Sequence, residues 1–198
     1  MIDLSGISED KPYSVFKKLY NEALVAGQNQ IEAISISSYS KEREEIDSRF
    51  VNLKSIRNNQ FIFFSNYDSP KSKQFDSHNQ ISALIFWQTI NVQIRIKALI
   101  TKTSAEFNNK YFANRALEKN ALAISSNQSS KISSFERVTE KYELALHQSD
   151  LKKCPKFWGG FSFTPYYFEF WEGHESRLNK REAYERSDDS WKHFILQP

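Results

Sequence analysis

Apolar residues recur every three or four positions at Val15, Phe16, Leu19, Tyr20, Ala23 and Leu24, which predicts an amphipathic helix with Gly27 as its C-cap. From Ile31 the period changes to two: Ile34 and Ile36 alternate with Ser35 and Ser37, as in a strand with one buried face. Further β-type runs cover residues 48–54, 60–65, 82–87 and 91–101. In the last of these Val92, Ile94, Ile96 and Ala98 share one face, so Gln93, Arg95 and Lys97 point away from the core. Helical spacing returns over 104–115 and 130–147, the second placing Ile132, Phe135, Val138, Tyr142 and Ala145 along one stripe. Strands are predicted again at 161–171, 181–185 and 191–196, while the polar runs 66–73 and 125–134 read as loops or helix starts. Strands in succession, interrupted by helices, indicate an α+β fold: a mostly antiparallel, barrel-like sheet with peripheral helices.

Composition narrows the class. The 198 residues suit one domain, 15% are aromatic with Phe alone at 16, and Gly and Pro number only 5 each, which favours a packed core over a flexible chain. The net charge of +3 comes from interspersed residues of both signs, with no basic block of the kind that tracks nucleic acid. One cysteine, Cys154, permits no intrachain disulfide, and neither it nor His78, His147, His174 and His193 shows metal-ligand spacing, so no metal is expected. The opening MIDLSGISED lacks a basic start and an apolar segment, and no run approaches the eighteen or so apolar residues of a membrane helix. A soluble, cytoplasmic protein with no membrane partner is the expectation, its first twelve or so residues forming a flexible arm.

Neither a Gly-x-Gly-x-x-Gly turn nor a Walker loop is present, so any phosphate must be held by side chains. The densest chemistry lies in FWGGFSFTPYYFEFWEGHESRLNKR, residues 157–181, where Trp171, Arg177 and Arg181 can bring an aromatic plate and two permanent cations to one planar anion. This run reads Trp158-Gly159-Gly160, then Glu169-Phe170-Trp171-Glu172-Gly173, then Arg177-Leu178-Asn179-Lys180-Arg181, and closes on Trp191-Lys192. It resembles the C-terminal signature of the pyridoxine/pyridoxamine 5'-phosphate oxidase family, and the likeness extends upstream to about Lys11-Pro12.

The resemblance implies an FMN-binding split β-barrel that works as a homodimer with the flavin between subunits. It implies FMN contacts at Arg49, Phe50, Val51, Asn52, Leu53 and Lys54, at Phe64, Ser65, Ser69 and Lys71, and at Gln93, Gln128, Ser129, Trp171 and Arg181. Lys54, Tyr111, Arg115 and Lys119 would hold the phosphate of the substrate, with the last three on one helical face if the helix runs on past Arg115. Arg177 and Asn179 would act at the substrate ring. The implied reaction is the oxidation of pyridoxamine or pyridoxine 5'-phosphate to pyridoxal 5'-phosphate, hydride passing from C4' to the flavin and dioxygen accepting the electrons.

Three positions depart from the family pattern. Pro70 stands where an Arg is usual and cannot pair with an anion, leaving Lys71 and Arg49 to carry that role; Lys119 replaces a Ser, and Asn179 replaces a His and cannot change charge near neutral pH. These departures keep open a related FMN oxidase with another substrate, of the phenazine-biosynthesis type, and a split-barrel protein that binds flavin without catalysis.

Overall fold

The computed structural model describes residues 1–198. Ten strands form one sheet: β1 (Asp3–Ile7), β2 (Ala33–Ser40), β3 (Glu45–Asn52), β4 (Ser55–Asn58), β5 (Gln60–Asn66), β6 (Gln80–Trp87), β7 (Val92–Lys102), β8 (Trp158–Glu172), β9 (Lys180–Ser187) and β10 (Ser190–Ile195). Five helices accompany them: α1 (Lys11–Val25), α2 (Pro70–Ser77), α3 (Ala105–Ala113), α4 (Leu117–Ser125) and α5 (Phe135–Gln148). The strand order is β1-β4-β5-β8-β7-β6-β2-β3, with β9 on β8 and β10 on β9; every pairing is antiparallel except β1 with β4.

The sheet divides at β8. Its first half pairs with β5, from Trp158 opposite Asn66 to Phe163 opposite Phe61, and its second half pairs with β9, from Tyr167 opposite Glu185 to Glu172 opposite Lys180. β7 pairs along its other edge from Phe161 to Glu172, with a register shift between Lys97 and Ala98. One extra residue on β8 at this point inverts the alternation, so Phe161 and Phe163 before it and Phe168 and Phe170 after it all face the core. The opposite face of β8 beyond the shift carries Tyr167, Glu169 and Trp171.

Helix α1 buries Tyr13, Phe16, Leu19, Tyr20 and Ala23, and the Phe16 ring meets Phe61 edge-on at 5.3 Å and Trp87 at 5.5 Å. It ends as the sequence indicated: Gly27 takes φ +73, its N–H reaches Leu24 O, and the Gln28 N–H reaches Ala23 O, so a glycine closes the helix in the left-handed region. Trp87 is the core tryptophan, 1% exposed, its indole N–H donating to Ile31 O.

Three expectations are corrected. The segment expected to be a flexible arm is strand β1, and Ile2 and Ile7 are buried in the main core. The predicted helix over 104–115 stops at Ala113, and a second helix starts at Leu117, because Asn114 ends α3 with its side chain turned back onto Lys110 O. The helix predicted over 130–147 starts only at Phe135, and its apolar stripe is largely open, with Phe135 78% exposed, Val138 and Tyr142 half-buried and only Ala145 buried, because α5 packs on α4.

Candidate functional site

The strand-to-helix junction β5–α2 builds the first cluster. Pro70 sits at the first position of α2, where its missing N–H costs nothing, and Ser69 precedes it, fully buried, its hydroxyl donating to Asn66 O. Lys71 is 8% exposed, and its ammonium donates to Ser65 Oγ at 3.0 Å, Gln128 Oε1 at 3.1 Å and Ser69 Oγ at 3.3 Å. Gln128 Oε1 also accepts from Ser65 Oγ and the Asn66 N–H, so the loop after α4 is tied onto the end of β5. Burial pulls the Lys71 ammonium down to about 8, and the Arg49 guanidinium adds to the effect. No carboxylate is paired with Lys71. A buried cation surrounded by hydroxyls and an amide, at the start of a helix and beside a second cation, is the arrangement a phosphate monoester fits.

Arg49 lies on β3 and turns toward the same place. It donates to Ser38 Oγ at 2.6 Å and Gln74 Oε1 at 3.1 Å, while Gln74 donates to Asp47. Burial depresses the Arg49 pKa and Asp47 opposes that. Gln74, for which the sequence carries no signal, therefore anchors Arg49 to α2. The rest of the segment divides as a strand should: Val51 is half-buried, Phe50 and Asn52 are exposed, and Leu53, 0% exposed, is a core residue that could offer a ligand only its backbone. Ser129 is exposed in the left-handed region at φ 68 and makes no side-chain contact to this cluster.

A second cluster begins on the neighbouring residue of β5. The Phe64 ring stacks on Tyr111 at 3.7 Å and on Trp158 at 5.1 Å, and Arg115 lies over the Trp158 ring at 5.1 Å. Burial pushes the Tyr111 phenol up, with Arg115 opposing, so the hydroxyl stays a donor at neutral pH. Burial also pulls the Lys54 ammonium below its ordinary range; Glu32 opposes, and Lys119 and Arg115 push it further down. Lys54, Tyr111, Arg115 and Lys119 thus meet, but not by the helical face expected. Arg115 is in the link between α3 and α4, and its guanidinium donates to Lys119 O at 2.7 Å. Beside them opens a cavity of about 650 Å³ lined by Lys54, Arg57, Lys110 and Tyr111, among others.

The paired glycines brace this end of β8. A Cβ at Gly159 would collide with the Tyr67 hydroxyl and the Asn108 amide, and one at Gly160 would meet Thr103. Those three side chains form a closed network: Asn108 donates to the Tyr67 hydroxyl, which donates to Gly160 O, and the Gly160 N–H and Thr103 hydroxyl both donate to Asn108 Oδ1.

The third cluster is a row across β7, β8 and β9. Gln93 pairs with Trp171, and Trp171 with Arg181, so the three side chains share the outer face of the sheet. Arg181 is held by Glu169. The loop that follows β8 turns at His174, with the Arg177 N–H on His174 O and Arg177 itself at φ 62. Asn179 Oδ1 accepts the His174 N–H at 3.0 Å, so the residue that replaces the family histidine shapes the loop.

No hydrogen bond, ion pair or ring contact joins the third cluster to the other two. Trp171 lies twelve residues along β8 from Gly159, the partner of Ser65, which is about 40 Å of extended chain at roughly 3.3 Å per residue. The outer face around the row carries exposed Phe86, Leu84 and Leu99, apolar surface of the kind a second subunit covers.

Residues 158–198 match the family model described as the pyridoxine 5'-phosphate oxidase C-terminal dimerisation region. Over 94% of its length the chain is 35% identical to pyridoxine/pyridoxamine 5'-phosphate oxidase 1 of Hydrogenovibrio crunogenus, of which 88% is covered. The chain belongs to the pyridoxine/pyridoxamine 5'-phosphate oxidase family. It is 37% identical, over 96% of its length and 89% of the relative's, to the pyridoxine/pyridoxamine 5'-phosphate oxidase of Christiangramia forsetii. Among solved structures, PhzG from Burkholderia lata 383, in complex with tetrahydrophenazine-1-carboxylic acid, matches with a TM-score of 0.90 at 25% identity, covering 96% of this chain and 93% of that one. A pyridoxamine 5'-phosphate oxidase-related, FMN binding protein from Nostoc punctiforme shares the fold, with a TM-score of 0.77 at 12% identity and coverage of 92% and 97%. The family's oxidoreductase fold is thus this chain's own, an α+β split barrel whose sheet stays open. No helix is long and apolar enough to cross a membrane.

Proposed function

We propose that this chain is an FMN-dependent oxidase that converts pyridoxamine or pyridoxine 5'-phosphate to pyridoxal 5'-phosphate, acting as a cytoplasmic homodimer with dioxygen as acceptor. The observation that carries the reading is Lys71: a buried ammonium with three neutral acceptors and no carboxylate partner, next to Arg49. Arg49, with Asp47 at 3.7 Å, still disfavours the charge on Lys71, so an anion bound beside both cations is favoured. Ser65, Ser69, Lys71, Gln128 and Arg49 would hold the FMN phosphate, with Phe50 to Lys54, Phe64 and Ser129 along its rim. Gln93, Trp171 and Arg181 would reach the ring system from the partner chain.

FMN, when bound, supplies the two-electron acceptor that no side chain offers. The protein's share is positioning. Arg115 lies beside the neutral Tyr111 hydroxyl, and Lys54 feels the charge of both Arg115 and Lys119, a set that takes a phosphate monoester through charge-assisted hydrogen bonds. The flat stack of Phe64, Tyr111 and Trp158 gives that phosphate a dry floor. Arg177 would lie over the substrate ring, and Asn179 would set the loop that carries it. Fixing both ends of the substrate removes rotational freedom before reaction, an effect that can supply several kcal/mol of rate enhancement, on the order of 7–11 at the upper end.

A second reading, a phenazine-type substrate, is favoured by the match to PhzG and by the engagement of Asn179 within its own loop. The purified protein distinguishes them. Flavin absorbance bands followed by aldehyde formation and peroxide release on adding pyridoxamine phosphate under air support the first reading. Flavin bands with no such product favour the second.

A further inference from the structure

Glu169 lies in the middle of an apolar run of β8, yet its side chain is 2% exposed and fully engaged. One carboxylate oxygen accepts Arg181 Nε at 3.0 Å and Arg181 Nη2 at 2.8 Å. The other accepts Arg95 Nη1 at 2.8 Å and the Tyr167 hydroxyl at 3.1 Å. The acid is therefore clamped between a strand on each side, β7 through Arg95 and β9 through Arg181. Stability alone does not call for it, since well-packed apolar residues replace buried ion pairs at little or no cost. What the clamp does fix is direction.

Of the five N–H groups of the Arg181 guanidinium, Glu169 takes two and Gln197 O takes one, at 2.8 Å. Two remain, one on each terminal nitrogen, and Trp171 stands beside them in the same cross-strand row. Were Glu169 absent, Arg95 and Arg181 would repel and the Arg181 plane would be free to turn. We infer that Glu169 is a positioning residue: it holds the Arg181 guanidinium so that its remaining donors meet an anionic or carbonyl edge of the ligand that stacks at Trp171. It also leaves the Arg95–Glu169–Arg181 group with one net positive charge where an unpaired arginine pair would carry two. The inference rests on the reading that this row contacts FMN.

The test is a double-mutant cycle on FMN affinity, measured by quenching of flavin fluorescence with wild type, Glu169→Gln, Arg181→Gln and the double variant. Each single change weakens FMN by about tenfold or more, and the double variant is no weaker than Arg181→Gln alone, because Glu169 acts through that arginine. Glu169→Asp, which keeps the charge but shortens the reach, serves if the amide variant does not fold; it weakens FMN while melting near wild type. Wild-type affinity in a folded Glu169 variant, or additive losses in the double variant, overturns the inference. Failure of the wild type itself to bind FMN overturns the functional reading, and this inference with it.

Discussion

Replacing Lys71 with Met moves stability and ligand affinity in opposite directions. The fall of the Lys71 pKa from 10.5 to about 8 means that its charged form is disfavoured by about 3 kcal/mol in the FMN-free protein. Methionine keeps the apolar stem and removes that charge. It also takes from the Ser65 and Ser69 hydroxyls the donor they accept from, a loss of about 1 kcal/mol. The net gain of about 2 kcal/mol raises the melting temperature of the FMN-free protein at pH 7 by roughly 4–8 °C for a chain of this size. FMN binding loses a charge-assisted contact to its phosphate, about 3 kcal/mol or more, which is a hundredfold or larger rise in Kd. Thermal denaturation without FMN and a fluorescence titration with it read the two effects separately. A variant that melts lower and binds FMN as tightly as wild type would refute the assignment of Lys71 as the phosphate cation.

The same lysine sets a pH dependence. Between about pH 8 and 10.5 the unfolded chain keeps a proton that the folded, FMN-free chain has released, so stability rises with pH across that window. FMN affinity falls over the same range, approaching tenfold per pH unit above about 8, because binding must return one proton to Lys71; calorimetric titrations from pH 7 to 9 check it. Gly159→Ala drives a methyl group into Tyr67 and Asn108 and lowers stability by about 1–3 kcal/mol in chemical denaturation, with loss of the Tyr67–Gly160 hydrogen bond. Lys119→Ser removes one cation from the Lys54–Arg115 group and raises KM for the phosphorylated substrate several-fold with kcat little changed, the pattern of lost ground-state binding.

Much of the fold was legible because its signals are local. The period-two runs became β2, β5, β6 and β7, and Gly27 closes α1 as expected, since alternation and a left-handed glycine need no distant partner. What stayed hidden depends on partners far along the chain. Asp3–Ile7 carries Ser and Gly and no alternation, and becomes a strand only by lying parallel to β4. No proline or glycine marks the break between α3 and α4; Asn114 alone makes it. The α5 stripe has helical period, but periodicity cannot say whether a face meets the sheet or remains open.

The candidate site divides the same way. Ser65, Ser69 and Lys71 converge because a strand, a turn and a helix start place them together within seven residues of sequence. Gln74 and Glu169 were missed, since each matters only through arginines on other strands, Arg49 for the first and Arg95 and Arg181 for the second. Arg115 is tied to Lys119 O across the turn between α3 and α4, and not through a continuous helical repeat. Most of the stretch between Gly159 and Trp171 was legible as a predicted strand, but not that β5 pairs with its first half and β9 with its second.

On the proposed reading, the two ends of β8 act together across two chains. Co-expression of Lys71→Met and Arg177→Gln subunits under different affinity tags, followed by purification of the hybrid, tests this directly. Each variant alone is inactive, while the hybrid has one undamaged site of its two and regains about half of the wild-type turnover. A hybrid as inactive as its parents would mean that each site is built within a single chain, and would contradict a site shared between subunits.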